Sequence, residues 1–340
     1  MKSKITIKDV AKESGFSIAT VSYVINDSKK IPEDTRNKIF ESINKLGYEP
    51  NLNARNLVKN ESRLIGIIAS MQVDNKRSIF TENPFFQEFF SGVEYKAQQI
   101  GYNTLILATK DEVSAIRMLK NNYLAGVIAL GEIDEKIYEL LEKINAPVVL
   151  IDNMVSSNKF CYINSKDEEG AYIATTHLIE AGHREIAFIT GGLDHSIIYT
   201  ERFLGYKRAL KEHNISFKSE YIFQNKLSYE GGIEAAKALM KNIPTITSGF
   251  CISDIMALGI IKGLYKEGLY VPKNFSLVGF DDIKSSEYFI PGLTTIKQDV
   301  FHKAEMAVEI IINNISKDKK INKYVEQVSL VKRESVKIIK

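Results

Sequence analysis

Between Ile7 and Asn26 the run IKDVAKESGFSIATVSYVIN sets three hydroxyls, Ser17, Thr20 and Ser22, beside Ile18, Ala19 and Tyr23. Side-chain hydroxyls at such spacing can donate to phosphate oxygens, while Ile18, Ala19 and Tyr23 project from the same helix towards a groove floor. A second pair of chemical interest lies far downstream. Arg202, in TERFLGYKRAL, follows the Gly191-Gly192 loop, and Asp254 directly follows the strand-like run Phe250–Ser253. An arginine and a carboxylate at strand ends can hold the hydroxyls of a small polar molecule in a fixed plane. Plainer uses compete: Asp254 as a helix N-cap, Arg202 as a salt bridge inside a lobe.

Bond-making chemistry has no comparable footing. The chain has no GxSxG, phosphate-binding loop or HExxH run, and its five histidines (His177, His183, His195, His213, His302) lack metal-ligand spacing. Thr190-Gly191-Gly192 lacks the spacing of a dinucleotide fingerprint and reads as a strand-to-helix turn. No enzyme, cofactor or metal is expected. Two lone cysteines, Cys161 and Cys251, point to a reducing compartment. No apolar run reaches the roughly 18 residues of a membrane span, and no signal core opens the chain. The expected location is the cytoplasm.

The elements that must carry these residues divide in two. Apolar residues on shared faces (Ile7, Val10, Ala11; Val21, Val24, Ile25; Ile39, Ile43, Leu46) predict three short helices in the first 48 residues. Ser17 is placed to N-cap the second, Pro32 opens the third and Gly47 ends it. Ala11 is small enough for two helices to cross, and Gly15, four positions on, tolerates the turn; together they predict a helix-turn-helix. This segment is basic. Met1–Ser62 holds 11 Lys or Arg against 8 Asp or Glu, so it accounts for the whole net charge of +3, the footprint of a polyanion contact. After Glu49-Pro50-Asn51, Leu52–Val58 forms a short helical stretch.

From Arg63 the pattern alternates. Strands are predicted at Leu64–Ala69, Thr104–Ala108, Gly126–Leu130, Val148–Ile151, Ile186–Ile189, Ile246–Ile252, Ser276–Val278 and Thr294–Ile296, with amphipathic helices between them. Continuous apolar strands separated by helices predict parallel sheets covered on both faces, and some 275 residues are too many for one. The expected fold class is α/β: an all-α helix-turn-helix domain and a hinge helix joined to a two-lobed domain of parallel sheets.

Several blocks in series resemble the LacI/GalR family of bacterial regulators. TIKDVAKESGFSIATVSYVIN is similar to that family's DNA-reading helices, and PEDTRNKIFESINKLGYEPNLNARNL to its third helix and hinge. AYIATTHLIEAGHREIAFITG, SDIMALG and SLVGFDD…IPGLTTIKQD resemble its effector-domain signatures, in the right order. The resemblance implies a periplasmic-binding-protein-like body that closes on a ligand, with Ile18 and Ala19 as the main base-reading residues. It implies phosphate contacts from Thr6, Ser17, Thr20, Asn26 and Thr35. Asn51, Ala54 and Leu57 match a hinge that folds on the operator, where Leu57 from each subunit would wedge into the minor groove. Phe85 and Phe86, Asp152, Arg202 and Asp254 match effector contacts. The chain departs from the pattern at Tyr23, which cannot make the bidentate guanine contact of the arginine many members have there. It also departs in the longer loop Val73–Glu82 and at Lys166, where members usually place an aspartate.

The boundaries that follow are 1–49 for the DNA-binding domain, 50–61 for the hinge and 62–340 for the effector-binding and dimerisation domain. Within the last, the N-lobe is expected at 62–162 plus 292–322 and the C-lobe at 163–291 plus 323–340. The expected partners are double-stranded palindromic operator DNA, a small-molecule effector (a sugar or sugar derivative) and a second copy of the chain. A dimer is expected, and no tetramer, because the chain ends at VKRESVKIIK without a heptad tail. The expected role is repression, with activation or control by a partner protein as the alternative. A transporter's solute-binding protein shares the body fold but would carry a secretory signal where this chain has its helix-turn-helix.

Overall fold

The computed structural model describes residues 5–25, 31–48, 62–69, 83–108, 112–131, 133–153, 157–192, 196–316 and 322–339. Asn26, Asn51, Ala54, Leu57, the expected hinge helix and the loop Val73–Glu82 lie outside them. The chain divides into two compact units, Met1–Ser62 and Arg63–Lys340.

In the first unit, α1 (Ile7–Ser14), α2 (Ile18–Ile25) and α3 (Glu33–Leu46) enclose a small core of Val10, Ala11, Val21, Val24 and Ile39. Local signals set its joints. The backbone N–H and hydroxyl of Thr6 both donate to Asp9 Oδ2, at 2.8 and 2.7 Å, and fix the start of α1. Gly15 takes φ 74°, a conformation costly for residues with a Cβ, and its N–H closes the turn on the Ala11 carbonyl. Two residues later Ser17 Oγ accepts from the Thr20 N–H at 3.1 Å, capping α2 as its position predicts.

The second unit holds two six-stranded sheets. The first contains β1 (Leu64–Ala69), β2 (Asn103–Ala108), β3 (Gly126–Leu130), β4 (Val148–Ile151), β5 (Phe160–Ser165) and β11 (Lys323–Glu326), ordered β11-β5-β4-β3-β1-β2 and parallel throughout. Helices α4 (Pro84–Gln99) and α12 (Val300–Ser316) cover one face through Phe89, Val93, Ala304, Ala307 and Ile311. The opposite face packs on α5 (Glu112–Asn121) and α6 (Glu135–Leu141) through Ala115, Met118, Ile137 and Leu141.

The second sheet contains β6 (Ile186–Thr190), β7 (Ile222–Gln224), β8 (Ser248–Cys251), β9 (Ser276–Asp281), β10 (Thr294–Gln298) and β12 (Val328–Val331), ordered β12-β10-β9-β8-β6-β7. Only β12, at its edge, runs antiparallel. One face packs on α7 (Asp167–Glu180) and α8 (Ile197–Glu212), the other on α9 (Tyr229–Met240) and α10 (Asp254–Lys266). A short helix, α11 (Lys284–Tyr288), precedes β10.

Each predicted strand is present, but β5, β7, β11 and β12 were not separately expected. All four are short or carry polar residues, and β7, β11 and β12 form sheet edges, where apolar content is weakest. The chain crosses between the lobes at Ser165–Asp167, Gln298–Val300 and Glu326–Val328. This corrects the lobe boundaries: residues 163–165 and 323–326 pair in the first sheet, and 294–298 in the second. Pro291-Gly292 has the composition of a crossing, yet it is a loop within the second lobe.

Asp254 ties β10 to the second lobe through a side-chain hydrogen bond. This first residue of α10 is fully buried and accepts from Thr295 Oγ1 on β10 at 2.6 Å. It also accepts from Ser286 Oγ at 2.6 Å and the Ile283 N–H at 3.1 Å. Burial, and after it the neighbouring Asp281, push its carboxyl well above the usual carboxylate range. A Cβ on Gly279 would lie 2.1 Å from Asp254 Oδ1, so the strand beneath has no room for a side chain. Removing the carboxylate would strand three buried donors. Asp254→Ala is expected to cost about 3 kcal/mol, or roughly 6–12 °C in Tm, followed by circular dichroism. Unfolding at the wild-type temperature would refute the tie.

Candidate DNA-reading face and ligand cleft

On α2, Val21 and Val24 are buried while Ile18, Ala19 and Tyr23 face outward, with Ile18 45% and Tyr23 57% exposed. A free-standing bundle gains nothing from two large apolar side chains there; a helix that enters a groove uses them. Ser22, half-buried, lies between the two faces, and Thr6 and Ser17 are exposed while Thr20 and Thr35 are half-buried. Ser17 Oγ and Thr20 Oγ1 share a 2.9 Å hydrogen bond, so the two hydroxyls form one polar spot at the start of the helix.

In the second unit the polar residues gather at the carboxyl ends of the parallel strands. Arg202, on α8, is 6% exposed. Its Nε donates to Asp167 Oδ1 at 2.8 Å and its Nη2 reaches the same oxygen at 2.7 Å. Its Nη1 donates to the Ile252 carbonyl and lies 3.9 Å from Asp281 Oδ1, and the guanidinium lies 3.5 Å from the Phe280 ring centroid. Burial opposes its charge, but Asp167 and then Asp281 outweigh it and hold its pKa above the ordinary value. The carboxylates feel the reverse balance: burial raises Asp167 in spite of Arg202, and pushes Asp281 up to about 6.

From Asp281 the network continues towards the first lobe. Gln298 Nε2 donates to Asp281 Oδ1 at 2.7 Å, and Ser253 Oγ donates to Asp281 Oδ2 at 3.1 Å. Gln298 Oε1 accepts from Ser165 Oγ at 2.7 Å and from Lys303 Nζ at 2.9 Å. Lys303 also donates to Asp152 Oδ1 at 2.8 Å. Asp152 and Asp281 both sit at positive φ, 54° and 117°. Non-glycine residues held there cost about 1–3 kcal/mol and concentrate at functional sites.

The structure therefore brings Arg202 and Asp152 into one electrostatic neighbourhood, through residues the sequence reading missed: Asp167, Asp281, Gln298, Lys303 and Ser253. Asp281 carried a usable signal, since VGFDD sets aspartates directly after an apolar strand. Two expectations change. Asp254 does not line the cleft; its burial and internal hydrogen bonds place it inside the second lobe. Arg202 carries the intralobe ion pair that was its plainer reading, at a strand-end position. Lys166 is exposed, and the adjacent Asp167 supplies the buried carboxylate. Phe85 and Phe86 are half-buried, meet edge to face at 5.3 Å and lean on the first-lobe core. Among the described residues no cluster could hold a metal, and no helix is long and apolar enough to cross a membrane.

Comparison with known proteins agrees with both halves. Residues 6–51 match the family described as bacterial regulatory proteins, lacI family, and residues 175–336 match a periplasmic binding protein-like domain. The HTH-type transcriptional repressor PurR of Vibrio vulnificus (strain CMCP6) is 34% identical over 342 residues, covering 98% of this chain and 99% of that protein. PurR of Aliivibrio fischeri (strain MJ11) is 35% identical over 340 residues, covering 97% and 98%. Among solved structures, the lac repressor dimer bound to operator and the anti-inducer ONPF superposes with a TM-score of 0.83 at 26% identity, covering 98% of this chain and 99% of that one. The CelR–cellobiose complex gives 0.72 at 25%, covering 97% and 99%. A helix-turn-helix with an outward apolar reading face, a two-lobed α/β body and likeness along nearly the whole chain have one common explanation: the chain belongs to the lacI family of bacterial regulatory proteins, and it is a DNA-binding transcription regulator and not an enzyme.

Proposed function

We propose that the protein is a cytoplasmic repressor that binds a palindromic operator as a homodimer and releases or grips it according to a sugar or sugar derivative held between its lobes. The observation that carries this reading is the convergence of Arg202, Asp281, Asp167 and Asp152 at the carboxyl ends of both sheets, where the chain crosses from lobe to lobe. Open α/β sheets bind ligands at that edge. Lys303 offsets Asp152, and Arg202 faces two carboxylates, so the cluster keeps an excess of negative charge. A neutral polyhydroxyl molecule suits such a cleft better than a phosphorylated one. The cellobiose complex of CelR supports the same class.

On the DNA side, Ile18 and Ala19 read bases, with Ser22 and Tyr23 beside them on α2, while Thr6, Ser17, Thr20, Asn26 and Thr35 hold phosphates. One reading helix covers too few base pairs for specific binding in a genome, which calls for a two-fold dimer. Asn51, Ala54 and Leu57 form the hinge, with Leu57 as the minor-groove wedge. An effector shifts operator binding only by its differential affinity for two lobe arrangements, typically 1–3 kcal/mol of coupling.

With an operator recovered by in vitro selection, Ile18→Asn and Ala19→Gln are each expected to change the preferred sequence and to cost roughly 1–3 kcal/mol on the original one. Thr35→Ala is expected to weaken cognate and random DNA alike. Equal losses on both DNAs for all three variants, by fluorescence anisotropy, would mean that α2 reads no bases.

For the cleft, a thermal-shift screen of neutral sugars, sugar phosphates and purine bases is expected to yield its hit among the neutral sugars. Asp281→Asn is expected to abolish that shift and the operator response, with basal operator binding retained. A hit confined to phosphates or purines would overturn the sugar assignment, and an undiminished shift in Asp281→Asn would place the ligand elsewhere.

The same variant tests the electrostatics. A carboxyl whose folded pKa is raised from 3.8 to about 6 binds its proton more tightly when folded. Its stabilising contribution is full below the lower value and falls away as pH rises through the higher one. Wild-type stability from urea melts is therefore expected to carry a decline on the order of 1–3 kcal/mol between about pH 4 and 6. Asp281→Asn is expected to lack that component; identical profiles would rule it out.

A further inference from the structure

Lys303 is the one fully buried lysine among the described residues, and the reading of the effector cleft gives it no contact of its own. It projects from α12, a helix packed on the first sheet. Its ammonium meets Asp152, from the end of β4 in the first lobe, at 2.8 Å and Gln298, from the end of β10 in the second, at 2.9 Å. A buried ammonium is costly unless its donors are satisfied, so this position demands that both acceptors stay in place. Satisfying it requires the two lobes to hold one mutual arrangement.

The surrounding bonds tighten the constraint, because they join the three crossings to one another. Ser165 on the first crossing donates to Gln298 on the second at 2.7 Å. His302, just past the second, lies 2.9 Å from Glu326 Oε2 on the third. The Lys166 N–H on the first donates to the Glu326 carbonyl on the third at 3.1 Å. Gln298 occupies the middle of this knot. Its carbonyl oxygen takes Ser165 and Lys303, and its amide nitrogen passes on to Asp281 and so to Arg202. A displacement of Asp281 or Arg202 is therefore transmitted to Lys303 and Asp152 through one side-chain amide.

We propose that Lys303 is a positioning residue of the effector domain: its ammonium latches Asp152 of the first lobe to Gln298 of the second, and so sets the closure angle of the ligand-free molecule. The proposal rests on the reading of the cleft as the effector site for its biological meaning. Its geometry stands or falls without any ligand. In the resting protein the lysine supplies a cross-lobe contact beside that of Ser165 with Gln298, and an effector that engages Asp281 and Arg202 acts on closure through Gln298.

The test uses the full chain without ligand, carrying spin labels at Glu139→Cys on the first lobe and Glu220→Cys on the second. Both positions are exposed, and the native Cys161 and Cys251 are buried and protected from labelling. Pulsed electron spin resonance is expected to show a longer and broader inter-lobe distance distribution for Lys303→Met than for the labelled parent. Gln298→Met cuts the link between lobes but leaves the Lys303–Asp152 pair, so it is expected to fold and to shift the distribution in the same direction. If Lys303→Met unfolds, Gln298→Met alone decides. A purely structural lysine would lower Tm and leave the distances unchanged; a folded variant with the parental distribution overturns the latch. A missing effector response with lengthened distances would overturn the ligand reading and spare this one.

Discussion

An arginine withdrawn from water needs carboxylates within reach, and a carboxylate withdrawn from water needs donors. In the large unit this mutual requirement is met around Arg202, which sits between Asp167 at the start of α7 and Asp281 at the end of β9. Neither acid could be buried there without the guanidinium, and the guanidinium could not be buried without them. The pairing draws α7, α8 and β9 to one point, and Asp281 is held in an unfavourable backbone conformation to keep its carboxylate aimed there. From that point the bonds lead outward through Gln298 to the first lobe.

The same chemistry gives the cleft two sides with different tasks. Arg202, Asp167 and Asp281 belong to a nearly dry cluster in the second lobe, while Lys303 and Asp152 belong to the first. Gln298, Ser165 and the strand crossings connect them. Coupling between sites requires an element with two arrangements, and the proposed switch assigns that part to the lobes and their three short crossings. The DNA-reading unit shows the opposite economy. Among the described residues its core is five buried side chains, so its geometry depends on the Thr6–Asp9 cap, the Gly15 turn and the Ser17 cap.

Near one another in the sequence, residues announced their roles. The cap at Ser17, the turn at Gly15, the outward face of Ile18, Ala19 and Tyr23, and the apolar strands of both sheets were legible because each follows from spacing along a single helix or strand. Purely local rules also placed Arg202 and Asp254 at strand ends. They failed to separate the two outcomes, since a residue just past a strand can turn towards the cleft or back into its own lobe. Asp254 turns inward, held by Thr295 and Ser286 from 41 and 32 positions away.

What the sequence alone determined is therefore the elements with a strong apolar pattern, though not β5, β7, β11 and β12, together with the two-part organisation and the faces that are buried, all of which are written in short-range periodicity and in the chemistry of single residues. What only the tertiary structure decided is which charges meet. Asp167 with Arg202, Gln298 with Asp281 and Lys303 with Asp152 are separated by 35, 17 and 151 positions. Thr294–Gln298 was assigned to the wrong lobe because Pro291-Gly292 looks like a boundary, whereas strand pairing with β9 decides membership. Periodicity reports which side of an element is apolar; it holds no record of the partner opposite, and buried charges are sorted by their partners.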